Sequence, residues 1–388
     1  MNVEKKYGFY AITSTFVGSI FGAGFVSGQE LLQFYASYGL YCIFGLILMF
    51  LLYVALSYMT MTLSFDKQLK TYEEAIAGKN EKAKAVCNAI INIIIFFILI
   101  VMFAGFGSLL NNFFGINTII GSVILAVLVM VICLLGAQKI VNVFKFIVPT
   151  MIVLALCTAG LGIIYGNSAP NFEVVEWVKQ PTPFWFASAL LAVSYIFIVQ
   201  IPILSPLGKN AKNKKEIIIG SILGPLAISL VATLICFALL KNLDIIVGVD
   251  MPMMIISKNI SGALGIVTLV VLAVGIFSSS LAMMFALINR ISQSKFNNEV
   301  TQKITIIVIC LSALILSLVG FSNLIAIVYP IVGYIGFAFN GGVVFQFFRN
   351  RSPKKVYKEL EISEQQIDDG RIFDTKETMA TLREKYES

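Results

Sequence analysis

The chain has 388 residues, of which 58% are hydrophobic and 13% are charged, and it contains no His. Soluble domains are nearer half apolar and a quarter charged, so this composition excludes an ordinary soluble enzyme and a disordered chain. The net charge of +7 is explained by basic loops that flank membrane spans, and no nucleic acid partner is needed to account for it.

Apolar stretches long enough to cross a bilayer follow one another along the chain. We predict an all-α polytopic membrane protein with ten transmembrane helices. These predicted spans are 9–35, 39–63, 84–111, 117–137, 140–165, 182–207, 216–240, 260–290, 303–320 and 323–347. The six Cys residues lie in apolar stretches without a CxxC spacing, which predicts buried thiols without disulfides or metal ligation.

The loops between the predicted spans differ in charge on the two sides of the membrane. Sixteen Lys and Arg residues lie on the side of the amino terminus, and three lie on the opposite side (Lys179, Lys241 and Lys258). Under the positive-inside rule, this difference predicts that both termini are cytoplasmic.

The ten predicted spans divide into two halves of similar length, 9–165 and 182–347. Since each half crosses the membrane five times, the second half must be inverted relative to the first, which gives a 5+5 inverted repeat. Each half has a helix-like insert after its second span, at 70–78 and at 250–258, unless these are two ordinary long loops. The remaining segments are predicted as a cytoplasmic amino terminus, an extracellular linker and a cytoplasmic tail, at 1–8, 166–181 and 348–388.

The first predicted span is rich in glycine. Four glycines occur in eleven residues, namely Gly18, Gly22, Gly24 and Gly28. Each weakens a helix by about 1 kcal/mol relative to Ala, so we predict a discontinuous helix whose free carbonyl groups face a cation. The alternative is a packing face of the GxxxG type, formed by Gly18 and Gly22.

Glu30 is the only acidic residue that we place inside a span. An acid within the membrane is a candidate for binding a substrate amine or for proton coupling. The alternative is structural, because Ser27-x-x-Glu30 has the form of a helix capping box. Both interpretations require a helix to restart near Ser27.

The sixth span is predicted to break in symmetry with the first, near Pro202, where Gln200 adds a polar side chain. A kinked but continuous helix is the alternative.

The eighth span contains three consecutive serines, Ser278, Ser279 and Ser280. Their hydroxyl groups either bond to carbonyl groups one turn earlier or, together with carbonyls of an unwound first span, bind a hard cation such as Na⁺.

These motifs resemble those of a known transporter superfamily. Gly18-x-x-Phe21-Gly22-x-Gly24, together with Gly275-x-x-Ser278-Ser279, resembles the amino acid–polyamine–organocation (APC) superfamily, whose members have the leucine-transporter (LeuT) fold. The segment GSIFGAGFVSGQE is similar to the YkvI-type amino acid permeases of low-GC bacteria. The resemblance covers residues 9–347 and implies a multi-pass protein of the bacterial cytoplasmic membrane.

The resemblance also implies site residues. A sodium site would use the backbone carbonyl oxygens of Gly18, Phe21 and Gly275. It would also use the hydroxyl groups of Ser278 and Ser279. A substrate site would use Gly22, Ala23, Gly24, Ser194, Tyr195 and Ile196.

Four further residues are candidates for closing or coupling the site. Phe103 is a candidate to close over the substrate, and Gln200 and Glu30 are candidates for coupling or gating. In some relatives a Lys amine on the fifth span replaces Na⁺, a role open to Lys145 here; the alternative is a Lys that extends to the cytoplasmic surface.

Together these features predict a secondary transporter of a small zwitterionic solute, an amino acid or a related compound, that is coupled to Na⁺ or H⁺. The alternative is a non-transporting solute receptor on the same fold. We expect no enzyme activity, since the chain lacks His, a Cys pair and a second membrane acid. No cofactor is expected beyond the coupling ion, and the sequence leaves the oligomeric state open.

Overall fold

The computed structural model describes residues 6–20, 23–135, 147–166, 172–292 and 299–350, which fold into α-helices joined by short connections. The helices up to residue 165 are α1 (Phe9–Ile20), α2 (Ala23–Ser27), α3 (Gln29–Phe34), α4 (Cys42–Lys67), α5 (Glu73–Ala77), α6 (Glu81–Phe114), α7 (Thr118–Leu134) and α8 (Ile147–Tyr165). The later helices are α9 (Trp185–Lys209), α10 (Lys214–Lys241), α11 (Pro252–Ile260), α12 (Gly262–Ser292), α13 (Glu299–Ser317) and α14 (Phe321–Asn350).

Seven helices among the described residues are long and apolar enough to cross a membrane: α4 with the 3-10 turn Ala36–Tyr41 before it, α6, α9, α10, α12, α13 and α14. Three shorter apolar helices, α1, α7 and α8, lie where the other three spans were predicted. The prediction of an all-helical polytopic membrane protein is therefore confirmed, and seven of its ten spans have the required length within the described residues.

The first predicted span is interrupted at Gly28, between α2 and α3. Gly28 has φ 82°, a left-handed conformation that costs an L-residue with a side chain about 1–2 kcal/mol. The α-helix therefore stops at Ser27, and α3 begins in a new direction at Gln29. The predicted restart near Ser27 is confirmed.

The capping box proposed as an alternative role for Glu30 is absent from this restart. Gly28 occupies the cap position of α3 and has no side chain to bond the first helical N–H groups. The hydroxyl of Ser27 accepts a long hydrogen bond from the N–H of Gln29, at 3.4 Å, and donates to the carbonyl of Gly24, at 2.8 Å. The carboxyl group of Glu30 accepts a hydrogen bond from the hydroxyl of Tyr195 on α9 and so does not bond the N–H of Ser27 as a capping box requires.

The prediction that the sixth span is discontinuous is wrong. Helix α9 runs without a break through both Pro202 and Pro206. The proline ring holds φ near the helical value, so each proline removes one backbone donor but leaves the backbone in a helical conformation. A proline without a neighbouring glycine is therefore insufficient to unwind this helix.

Helix α9 lies at the centre of the packing and contacts α4 on one side and α14 on the other. Helix α6 packs against α7 and α12, and α1 packs against α10. Many apolar side chains on the outside of the bundle are exposed, for example Leu128, Leu230 and Ile315. An apolar outer surface of this kind suits a lipid environment, because the bilayer keeps these side chains out of contact with water.

Two short helices interrupt the sequence of long ones. Helix α5 follows α4 and packs against α14, whereas α11 follows α10 and packs against α12 and α8. Helix α5 falls within the predicted insert at 70–78, and α11 begins within the predicted insert at 250–258 and ends two residues beyond it. In each half of the chain, a short helix therefore follows the second long segment.

Candidate functional site

A cavity of about 330 Å³ lies between α1–α3, α6, α8, α9, α12 and α14, and we call it the central cavity. Residues from three separate segments of the sequence, all predicted as site residues, line it: Gly18, Gly24, Glu30, Tyr195, Ile196, Gly275, Ser278 and Ser279. The volume is within the range of pockets that hold small solutes.

The carboxyl group of Glu30 is placed by contacts to α2 and α9. Its side chain is 8% exposed, and it accepts a hydrogen bond from the hydroxyl of Tyr195. It also lies directly against Gly24, since a Cβ atom at that position would be 1.8 Å from the Glu30 Oε1 atom. The break at Gly28 therefore lets α3 fold its first acidic residue back over α2.

Aromatic rings from three helices, α3, α9 and α14, pack around the same carboxyl group. The rings of Tyr195 and Tyr329 stack with their centroids 4.5 Å apart, and Phe34 packs on the other side of Tyr195 at 5.5 Å. On α14, Tyr329 is 4% exposed, whereas Tyr334 is 62% exposed. Of the two, only Tyr329 lines the central cavity.

The charged side chain that lines the central cavity, among the described residues, is acidic and has no basic counterpart there. Glu30 is the only acidic residue that lines it, and no Lys or Arg from the described part of the chain does so. An unpaired carboxylate in a mostly apolar cavity is unfavourable, and a bound cation or ammonium group relieves this cost. The site therefore suits a ligand with a positively charged end.

The serines of α12 differ in what their hydroxyl groups do. Ser280 is fully buried, and its hydroxyl donates to the carbonyl of Ile276 at 2.8 Å. Ser278 and Ser279 are half-buried and line the central cavity, where Gly18 of α1 faces them. The alternative in which a serine bonds to a carbonyl one turn earlier therefore holds for Ser280. The hydroxyl oxygens of Ser278 and Ser279 remain in the cavity as ligands for a hard cation.

The rest of the cavity is apolar and runs along α9 from Tyr195 to Ile203, about 12 Å at 1.5 Å per helical residue. The side chains that form this portion are Ile98, Met102, Met151, Val199, Ile203, Met283 and Val332. Such a lining suits the apolar part of a solute and has no partners for additional charges.

Three predicted site residues lie outside the cavity lining. Phe103 is completely buried, and its neighbour Met102 faces the cavity, because successive helical residues point about 100° apart. Ser194 packs against α14, where a Cβ at Gly336 would come within 2.2 Å of its carbonyl oxygen. Gln200 accepts a hydrogen bond from Ser19 at 2.7 Å and so connects α9 to α1.

Four other predicted residues are only partly described or lie outside the description. Phe21, Gly22 and Lys145 lie outside the described residues. Ala23 is the first residue of α2. The methionines of the lining, Met102, Met151 and Met283, were not predicted, since their pattern in the sequence is that of ordinary core residues.

Comparison with known proteins places the chain beside two proteins of Bacillus subtilis (strain 168). It is 25% identical to the uncharacterized membrane protein YkvI over 336 residues, which cover 85% of this chain and 93% of that protein. It is 24% identical to the uncharacterized protein YyaD over 324 residues, covering 82% and 91% of the two chains. No family model matches the sequence. These similarities extend over nearly the full length and support homology to a polytopic helical membrane protein.

Proposed function

We propose that the protein is a secondary transporter that binds a small zwitterionic solute, an amino acid or a related compound, in the central cavity. The observation that carries this proposal is the meeting of α1–α3, α9, α12 and α14 around the buried carboxyl group of Glu30. The solute's ammonium group pairs with Glu30, and its apolar portion lies between α6 and α9.

We further propose ten spans arranged as a 5+5 inverted repeat, the LeuT fold of the APC superfamily. The order of helices supports this arrangement, since α4, α5 and α6 correspond in order and length to α10, α11 and α12. On this alignment α1–α3 correspond to α9. Both then border the central cavity, where inverted-repeat transporters place their substrate site.

The position of the cavity suggests which side of the membrane it serves. It extends along α9 toward the loop 209–215, which carries four Lys residues and is cytoplasmic under the positive-inside rule. Alternating access requires the site to be reachable from each side in turn. We infer that this conformation faces the cytoplasm.

For the coupling ion we propose Na⁺, bound by the hydroxyls of Ser278 and Ser279 and by backbone carbonyls of Gly18 and Gly275. Neutral oxygen ligands of this kind suit a hard cation. The alternative is proton coupling through Glu30, which is the one acidic side chain that lines the central cavity in the described structure. Sodium coupling requires the hydroxyl groups of Ser278 and Ser279, whereas proton coupling requires the carboxyl group of Glu30.

The test is the thermal stability of the purified protein with each common amino acid, with and without Na⁺. A ligand that binds the native state at 100 times its Kd adds about 2.7 kcal/mol of stability, which raises the melting temperature. We expect a shift that needs both an amino acid and Na⁺ and that is lost in S278A/S279A. S280A is the matched control and should keep the shift, because its hydroxyl serves only an intrahelical bond.

Other outcomes separate the alternatives. A shift that is independent of Na⁺, varies with pH and disappears in E30Q would replace sodium coupling with proton coupling. Binding without uptake of the same radiolabelled amino acid into proteoliposomes would favour a receptor. If no amino acid shifts the melting temperature, the proposed substrate class is wrong.

A further inference from the structure

A second pocket lies on the other side of α3 from the central cavity. It has a volume of about 220 Å³ and lies between α3, the segment 177–179, the segment 248–250 and the start of α14. We call it the linker pocket, because the segment 177–179 belongs to the connection between the two halves of the chain. Trp177 and Lys179 border it and are exposed, so solutes can reach it.

Helix α3 separates the two pockets by its own periodicity. Gln29 and Gln33 are four residues apart and so share one face of the helix, the face that lines the linker pocket. Glu30 lies on a different face and lines the central cavity. A single short helix therefore contributes polar side chains to both pockets.

The linker pocket contains an organised set of hydrogen-bond acceptors. Asp250 accepts one hydrogen bond from Ser108 at 2.7 Å and another from Ser322, so both of its oxygens are held in place. Gln29 donates its amide N–H to Ser322 at 3.0 Å, and Gln33 donates to the carbonyl of Lys179 at 2.7 Å. The carboxylate and both amides are thereby fixed along one side of the pocket.

These bonds determine which way the two amides point. The single hydroxyl proton of Ser322 is used on Asp250, so Gln29 must present its nitrogen to Ser322. The carbonyl of Lys179 can only accept, so Gln33 must present its nitrogen there as well. The Oε1 atom of each glutamine is buried and accepts no hydrogen bond from the residues that the structure describes. The side chains of Gln29 and Gln33 are 7% and 2% exposed.

Buried acceptors without donors favour a ligand that brings N–H groups. Unlike the central cavity, the linker pocket is bordered by residues of both signs of charge, Asp250 and the exposed Lys179. One acid, one base and two unpaired amide oxygens complement a molecule that has both an ammonium and a carboxylate group.

We propose that the linker pocket is a second binding site for the zwitterionic solute. The solute's ammonium group lies at Asp250, on the side of the pocket that Gln29 and Gln33 form, and its carboxylate lies at Lys179. This inference rests on the proposed function for the class of solute, but it concerns a separate set of residues. Because α3 borders both sites, a solute in the linker pocket contacts the helix that positions Glu30.

The first experiment counts binding sites on the purified, full-length protein by equilibrium dialysis. The probes are radiolabelled glycine, L-alanine and L-leucine, which share the two charged groups and differ in size. We expect two sites per chain in the wild type and one in E30Q. D250N and K179Q should each weaken the second site about tenfold or more, because each removes a charged partner. The matched control is D244N, an acid of the same loop region that does not line the linker pocket, and it should keep two sites.

A second measurement locates the site. The chain has two Trp residues, and Trp185 stacks on Tyr41 away from the linker pocket. In a W185F background, the fluorescence of Trp177 should change saturably with the three probes. The change should persist in E30Q and disappear in D250N and K179Q.

The outcomes distinguish the two proposals. One site per chain that is lost in E30Q and unchanged in D250N and K179Q would overturn the linker pocket and leave the proposed function intact. Failure of all three probes to bind the wild type would count against both. K179Q alters an exposed side chain, so it keeps the test decisive even if D250N fails to fold.

Discussion

Helices α1–α3 and helix α9, which the proposed inverted repeat places in corresponding positions, both line the central cavity, but among the described residues only the first region is broken. The break at Gly28 turns α3 so that Glu30 folds back against Gly24. Helix α9 stays continuous and contributes the hydroxyl and the ring of Tyr195. The broken segment thus supplies the charge of the site, and the continuous one supplies the group that holds that charge.

The difference shows that glycine and proline interrupt helices in different ways. Gly28 adopts a left-handed conformation that other residues avoid, and this changes the direction of the chain. Pro202 leaves the carbonyl one turn earlier without its N–H partner but keeps its own φ in the helical range. The two regions that the proposed repeat pairs therefore differ in backbone conformation, and three substitutions test this account.

The largest effect is expected for G24A. Its Cβ would be 1.8 Å from Glu30 Oε1 and 2.7 Å from Glu30 Cδ, so the carboxyl group must leave its place beside Tyr195. A hydrogen bond to a charged group contributes about 1.5–3 kcal/mol, so we expect amino acid binding to weaken by about tenfold to a hundredfold. Titration of the thermal shift with the best-stabilising amino acid measures this change.

The control for G24A is G160A, a helical glycine whose Cβ would meet no atom within 4 Å. It should bind like the wild type and be at least as stable, since Ala favours a helix over Gly. Wild-type affinity in G24A would show that the position of Glu30 does not matter for binding.

A smaller effect, on stability, is expected for G28A. The φ of 82° is strained for Ala, and the new Cβ would be 2.8 Å from the Cγ atom of Met253 on α11. G115A is matched to it, since Gly115 also has a positive φ of 71° but has no atom within 4 Å of its Cβ position. We expect G115A to cost about 1 kcal/mol from backbone strain and G28A to cost more, about 2–3 kcal/mol. Unfolding in denaturant measures both, and equal losses would show that the contact with Met253 adds nothing.

Much of the central cavity was predictable from local sequence. Gly18 and Gly24, the acid Glu30 and the serines at 278 and 279 are each unusual in an apolar helix, and the structure brings these five residues to one cavity. Rare residue types in a membrane span are informative because each carries a cost that packing alone does not repay.

Other features depended on information that no short window of sequence contains. Met102 lines the cavity whereas Phe103 does not, and the rotation of α6 that decides between them is set by its packing on α7 and α12. The linker pocket joins Gln29, Lys179, Asp250 and Ser322, which are far apart in the chain. Such polar residues look like ordinary loop and helix-end residues until the fold brings them together.

The smallest effect is expected for P202A, which tests the continuous side of the comparison. Because α9 is already helical at this position, Ala requires no change of backbone and restores one N–H donor to the carbonyl of Ile198. We expect the stability to rise by about 1 kcal/mol or less, and the affinity for the best-stabilising amino acid to stay the same. If affinity instead falls while the protein remains folded, the geometry that Pro202 imposes between Val199 and Ile203 shapes the cavity wall. In that case α9 would direct the site through its backbone, as α1–α3 do, and the difference between the two regions would be one of degree.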